Sequence, residues 1–219
     1  MAVKIGLKYI DMWNESMEDE VLAYEKEPIE VGKIVFYGSS TFTRWSSKYG
    51  MRPLTECLVG KSGNKCVINR GFGSSCAEHQ LYYYPRLIRP LAPSVLVYIP
   101  FGNYASFGYS VEENWELAQR VLVYAKTDFP DIKIYLCPTN PVKRERNLTT
   151  IRNIEQSIYM MRSYCEQNDN CKLIDITPYE EFNSRKDIYA EDMSHLNQAG
   201  YDMYEQIMRC ALKEELDRF

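Results

Sequence analysis

The chain has 219 residues, 45% of them hydrophobic and 26% charged, the balance of a globular protein with a full core and of one domain, or one domain with an appendage. A net charge of −4 disfavours a general nucleic-acid binder, which needs a basic face to displace counterions. The longest apolar run, Val95 to Phe101, has only strand length and contains Tyr98 and Pro100, so no membrane span is expected.

The first 20 residues turn polar and acidic too early for an export signal, which gives a cytoplasmic protein as the expectation. Its seven cysteines are then expected as reduced thiols. Their number is odd and no CxxC pair occurs, so neither a disulfide framework nor a zinc ribbon is indicated. On the same expectation the sequons at Asn14 and Asn147 carry no glycan.

Along the chain, residues 12–26 predict an amphipathic helix, and residues 1–30 an N-terminal helical extension packed on a single domain that spans residues 1–219. A first strand is predicted at Lys33–Tyr37, ending at Gly38, and a short second one at Cys66–Ile68. The CAEHQLYYYPRL segment around His79 predicts a helix with aromatic neighbours. Val95–Ile99 is nearly all apolar, as a strand covered on both faces should be. Val111, Trp115, Ala118, Leu122 and Ala125 then keep a helical stripe, opened by the capping-box pair Ser110 and Glu113. A strand at Ile132–Cys137 stops at Pro138, a helical stripe runs through Ile151, Ile154, Ile158, Met161 and Cys165, and a strand at Lys172–Ile176 follows. A last helix carries Ala199, Met203, Ile207 and Cys210 behind a cap at Asn197. Strands alternating with helices imply a parallel sheet covered on both faces, with sites at the carboxyl ends of its strands. The long polar loop over residues 178–194 leads directly to a histidine, and a loop of that length is more often functional than idle.

Two histidines exist, His79 and His195, so a histidine base is a binary choice. His195 follows Asp192 by three residues, and one helical turn or a tight loop brings such residues to one side. A carboxylate there accepts the Nδ1 proton, fixes the tautomer and leaves Nε2 as a base. FYGSSTF, residues 36–42, places a Ser-Ser-Thr run where a strand ends at a glycine. Such a turn either exposes a hydroxyl nucleophile or merely caps a short helix. NRGFGSS, residues 69–75, follows the second strand with two glycines that let backbone approach a ligand. FGN, residues 101–103, follows the third, and Asn103 offers an uncharged amide donor of the kind found in oxyanion holes.

In order and position these four segments resemble the blocks of the SGNH/GDSL hydrolases. FYGSS resembles the first block, NRGFGSS the second, FGNY the third and EDMSHLNQAGY the last, and the resemblance covers Lys33 to about Met208. It implies a three-layer α/β/α sandwich, flavodoxin-like, with a five-stranded parallel sheet. It implies Ser40 as nucleophile, His195 as base and Asp192 as the acid that orients it. The oxyanion donors it implies are the Ser40 N–H, the Asn103 amide and an N–H from Ser74 or Gly73. Ser39, Tyr104 and Phe107 fall on the substrate side, with Tyr109 nearby. Three departures stand out: Ser39 replaces the usual acid before the nucleophile, Ser74 the second-block glycine, and Tyr104 the third-block acid. The implied activity is a serine esterase acting through an acyl-enzyme on a small-molecule ester, a short acyl group (often acetyl) on a sugar or similar alcohol, with no metal or organic cofactor. The alternatives are a ligand-binding module that has lost catalysis, and a lipid-ester or thioester hydrolase. A phosphate-binding reading of Gly60-Lys61-Ser62 fails because position 55 is Thr, and GFGSSC is not a dinucleotide fingerprint because Cys76 stands where its last glycine would be.

Overall fold

The computed structural model describes residues 14–139 and 148–219. Helix α1 (Asn14–Glu25) precedes strand β1 (Ile34–Gly38), and two short helices follow it, α2 (Ser40–Thr43) and α3 (Leu54–Cys57). Then come β2 (Val67–Gly71), α4 (Ala77–Leu87), β3 (Val95–Tyr98), α5 (Val111–Asp128), β4 (Lys133–Leu136), α6 (Leu148–Glu166) and β5 (Cys171–Leu173). The short α7 (Glu181–Ser184) and the C-terminal α8 (Gln198–Ala211) and α9 (Lys213–Leu216) complete the order.

All strands pair in parallel, in the order β2-β1-β3-β4-β5. This is a doubly wound flavodoxin-like order, the architecture that the family resemblance implied. Period-two alternation divides the strand side chains between two cores. Val35, Tyr37, Leu96, Tyr98, Ile134 and Leu136 face Met17, Val21, Tyr83, Leu87, Leu122 and Met161, which belong to α1, α4, α5 and α6. Ile34, Phe36, Val95, Val97 and Tyr135 face Trp45, Leu54, Tyr201, Tyr204, Met208 and Leu216. Each face of the sheet is therefore covered, which is why β1 and β3 are buried along their whole length and read as continuous apolar runs.

The capping signals operate as expected. Ser110 Oγ accepts from Glu113 N–H at 3.1 Å while the Glu113 carboxylate accepts from Ser110 N–H at 2.9 Å. Asn197 Oδ1 accepts from Gly200 N–H at 3.1 Å. Each cap is worth about 1 kcal/mol. The sequence places β2 too early: the strand runs on through Asn69 and Arg70 because its register with β1 continues to the Gly38–Gly71 pair. The polar loop before His195 is not featureless, since it holds α7 and an isolated antiparallel bridge between Tyr189 and Leu196.

Candidate active site

The parallel order puts the loops after β1, β2, β3 and β5 at one edge of the sheet. The first carries Ser40. Gly38 ends β1, and Ser39 O accepts from Phe42 N–H at 3.0 Å and Thr43 N–H at 3.2 Å, so the chain turns at once into α2 with Ser40 as its first residue. The turn is packed from two sides. Tyr201 of α8 donates its hydroxyl to Thr41 O at 2.9 Å. A Cβ on Gly71 would lie 2.6 Å from Phe42 Cβ and from Thr43 N, so β2 ends directly against α2 and only glycine fits.

His195 stands opposite Ser40, 155 residues away in the chain. Its Nε2 is 3.0 Å from Ser40 Oγ, and its Nδ1 is 2.6 Å from Asp192 Oδ2. The other carboxylate oxygen accepts the backbone N–H groups of Ser194 and His195, both at 2.9 Å. Burial alone would raise the Asp192 carboxyl, but the hydrogen bonds from the His195 ring and from those two N–H groups outweigh it and hold the carboxyl well below its usual range. The arrangement is a tight loop, not a helical turn. Ala190 N–H donates to His195 O at 2.8 Å above the Tyr189–Leu196 bridge, and Met193 at the tip has a φ of 54°. Asn197 closes the neck, donating its side-chain amide to Asp187 O at 2.7 Å and Tyr189 O at 3.1 Å while it caps α8.

The loop after β2 brings a serine into glycine's conformation. Ser74 has a φ of 60°, whereas Gly73 is outside the left-handed region. For an L-residue this costs about 1–2 kcal/mol. The Gly73 N–H is committed to Glu20 Oε2 at 2.8 Å, and among the described residues no acceptor takes the Ser74 N–H. After β3, Asn103 also lies in the left-handed region, with φ at 54°, and is exposed. One hydrogen of its amide goes to Ser75 O at 3.1 Å, and the Nδ2 group carries a second. The Ser75 carbonyl thus anchors Asn103 in a chain that has Tyr104, and no acid, at the following position.

Of the residues expected on the substrate side, Tyr104 is half-buried against Phe101. Ser39 and Phe107 are each only 2% exposed. Ser39 is roofed by Gly102, where a Cβ would lie 2.5 Å from its Oγ. The 3-10 turn Tyr104–Phe107 rotates Phe107 inward onto His79, with ring centroids 4.7 Å apart. Tyr109 reaches the buried Glu78 through its hydroxyl. His79 itself is fully buried in α4, where its Nδ1 accepts from Cys76 N–H at 3.3 Å as part of the helix cap.

Two contributors carry no sequence signal. Arg44, four residues after Ser40, places Nη1 3.4 Å from Asp192 Oδ2 and its guanidinium over the ring of Tyr49. Glu20 reaches the site from α1, 53 residues before its partner. Among the described residues no three His, Cys, Asp or Glu side chains gather as metal ligands would, and no helix is long and apolar enough to cross a membrane.

No protein-family model and no curated protein matches the chain. Solved structures do. A GDSL-like lipase from Bacteroides thetaiotaomicron superposes with a TM-score of 0.70 at 16% identity, over 91% of this chain and 98% of the other. The acetyl xylan esterase AlAXEase gives 0.67 at 22% identity, over 82% and 99%. A catalytic mutant, serine to alanine, of an acetylxylan esterase from Geobacillus stearothermophilus gives 0.65 at 15% identity, over 84% and 95%. The fold is that of these hydrolases.

Proposed function

We propose that this chain is a serine ester hydrolase with Ser40 as nucleophile, His195 as general base and Asp192 as the carboxylate that orients it. One observation carries the reading: the unbroken relay from Asp192 Oδ2 through Nδ1 and Nε2 of His195 to Ser40 Oγ, with contacts of 2.6 and 3.0 Å. An ionised Asp192 accepts a hydrogen bond from Nδ1–H and so holds the ring proton there, and Nε2 presents its lone pair to the serine hydroxyl. His195 takes that proton as Ser40 Oγ attacks the ester carbonyl, and returns it to the departing alcohol. The acyl group stays on Ser40 until water, activated by the same imidazole, releases it.

Negative charge on the carbonyl oxygen is met by the Ser40 N–H, the Ser74 N–H and the second amide hydrogen of Asn103. Each such donor is typically worth ~100- to 1,000-fold in rate. The choice of Ser74 over Gly73 rests on the engagement of the Gly73 N–H with Glu20.

For the substrate, a short acyl ester of a carbohydrate or similar small alcohol is the reading we favour. It is supported by the half-buried ring of Tyr104 beside Asn103 and by the acetyl xylan esterases among the structural neighbours. The deciding experiment is labelling by a fluorophosphonate probe together with hydrolysis of p-nitrophenyl esters and acetylated xylo-oligosaccharides, for the wild type and Ser40→Ala. The wild type should label and turn over acetyl esters fastest, and Ser40→Ala should do neither. An unlabelled wild type with no esterase activity refutes the hydrolase reading, and a preference for long acyl chains refutes the substrate.

A further inference from the structure

Helix α1 stands outside the strand–helix alternation, yet its Glu20 and Tyr24, with Glu27 two residues beyond its end, grip the end of β2 and the loop that follows. Glu20 and Tyr24, at the spacing i, i+4, share one helical face. Glu20 Oε2 accepts from Gly73 N–H at 2.8 Å. Tyr24 donates its hydroxyl to Gly71 O at 2.6 Å and lies under the Arg70 guanidinium, 4.7 Å from its ring centroid. Glu27 Oε2 pairs with Arg70 Nη1 at 2.6 Å. On the neighbouring face Glu18 and Glu25 hold Arg86 of α4 at 2.7 Å each, and Met17 and Val21 enter the core. The helix is thus seated by packing and ion pairs, and its carboxylate at position 20 is presented from a rigid support.

Gly73 has no side chain with which to fix its own backbone, and the residue after it holds a left-handed conformation that an L-residue adopts only at a cost. Resting on the hydrolase reading above, we propose that Glu20 is a positioning residue for the oxyanion site: by accepting the Gly73 N–H, it anchors the peptide before Gly73 and keeps the next N–H, that of Ser74, directed at the developing oxyanion. Ser74 has the role of donor and Glu20 acts only through it. A donor that is fixed before the reaction costs no reorganisation when charge develops, so the contribution falls on the chemical step and not on substrate binding.

The test uses the full chain with Glu20→Met and Glu20→Gln. Methionine keeps the length and packing of the side chain but has no comparable acceptor, whereas glutamine keeps a carbonyl oxygen for the Gly73 N–H. With p-nitrophenyl acetate, E20M should lower kcat by about tenfold or more with KM within about twofold, and E20Q should stay within about threefold of wild type. The inhibition constant of phenylboronic acid, whose tetrahedral serine adduct occupies the oxyanion site, should rise in E20M in parallel with the loss in kcat. Thermal unfolding of each variant separates this from loss of fold. Wild-type kcat in E20M, equal impairment of E20M and E20Q, or an E20M defect confined to KM or Tm would each overturn the role of Glu20. If the wild type itself neither labels nor hydrolyses esters, the hydrolase reading fails instead, so the two failures are distinguishable.

Discussion

Replacing Asp192 by asparagine keeps the shape of the side chain, reverses one hydrogen bond in the relay and removes the charge that faces Arg44. The carboxylate makes three short contacts: Oδ2 to His195 Nδ1 at 2.6 Å, and Oδ1 to the N–H groups of Ser194 and His195 at 2.9 Å. An amide keeps the two backbone bonds, together worth about 2 kcal/mol, by leaving its oxygen on them. Its NH2 group then faces Nδ1 and donates where the carboxylate accepted. Nδ1 must become the acceptor, the ring proton moves to Nε2, and Nε2–H points at Ser40 Oγ, 3.0 Å away. The base is lost with its geometry intact. A wrong tautomer of this kind is expected to lower kcat by about 10,000-fold, or about 5 kcal/mol at 1.36 kcal/mol per decade. Steady-state hydrolysis of p-nitrophenyl acetate measures it, and thermal unfolding should show a cooperative transition at a lower Tm, because the backbone acceptor remains but the carboxylate's contacts with His195 and Arg44 are lost. A loss in kcat under about tenfold, with the fold preserved, would refute the claim that Asp192 sets the tautomer of His195.

Other perturbations separate the parts of the site. Asn103→Ala removes one oxyanion donor and the anchor on Ser75 O, and should lower kcat by about 100- to 1,000-fold with little change in KM, measured with the same ester. Gly102→Ala sets a Cβ 2.5 Å from Ser39 Oγ and 3.0 Å from Ser75 O, and overpacking of this kind should destabilise by about 1–3 kcal/mol, seen as a lower Tm. Glu20→Gln should be at least as stable as wild type at neutral pH. Burial raises the Glu20 carboxyl above its ordinary value of 4.5, against the lowering pull of the Gly73 N–H and of Lys48. A raised folded pKa gives stability that is full below the unfolded value and is lost as pH rises through the folded one. The advantage of E20Q in denaturant unfolding should therefore grow from about pH 4 to about pH 7, and an advantage that shrinks over that range would contradict the assignment.

The sheet was legible because its central strands are buried on both faces and so are apolar without interruption, as in Val95–Tyr98. Helix α5 was legible because Ser110 and Glu113 act locally, three residues apart. Asp192 and His195 are also near neighbours in the chain, so their pairing could be anticipated from spacing, although spacing left helix and tight loop equally open. What escaped the sequence is long-range or conformational. Glu20 and Gly73 meet across 53 residues, and Arg44 and Asp192 across 148. Under the hydrolase reading, the choice between Ser74 and Gly73 as donor depends on backbone dihedrals and on Glu20, neither of which leaves a pattern in the sequence. Phe107 reads as an aromatic beside the site until the short 3-10 turn that buries it against His79 is known. Ser39 likewise reads as a hydroxyl next to the nucleophile, and only the glycine above it shows that it is covered.

The loop that carries Asp192 and His195 is tied at its own neck, by the Tyr189–Leu196 bridge and the Asn197 amide. Acid and imidazole therefore travel as one cartridge. If the cartridge swings outward, it breaks the 3.0 Å contact to Ser40 and the long ion pair to Arg44, while the 2.6 Å bond within it stays whole. Away from its partner, Ser40 reverts to an ordinary alcohol and the imidazole keeps the proton arrangement it needs.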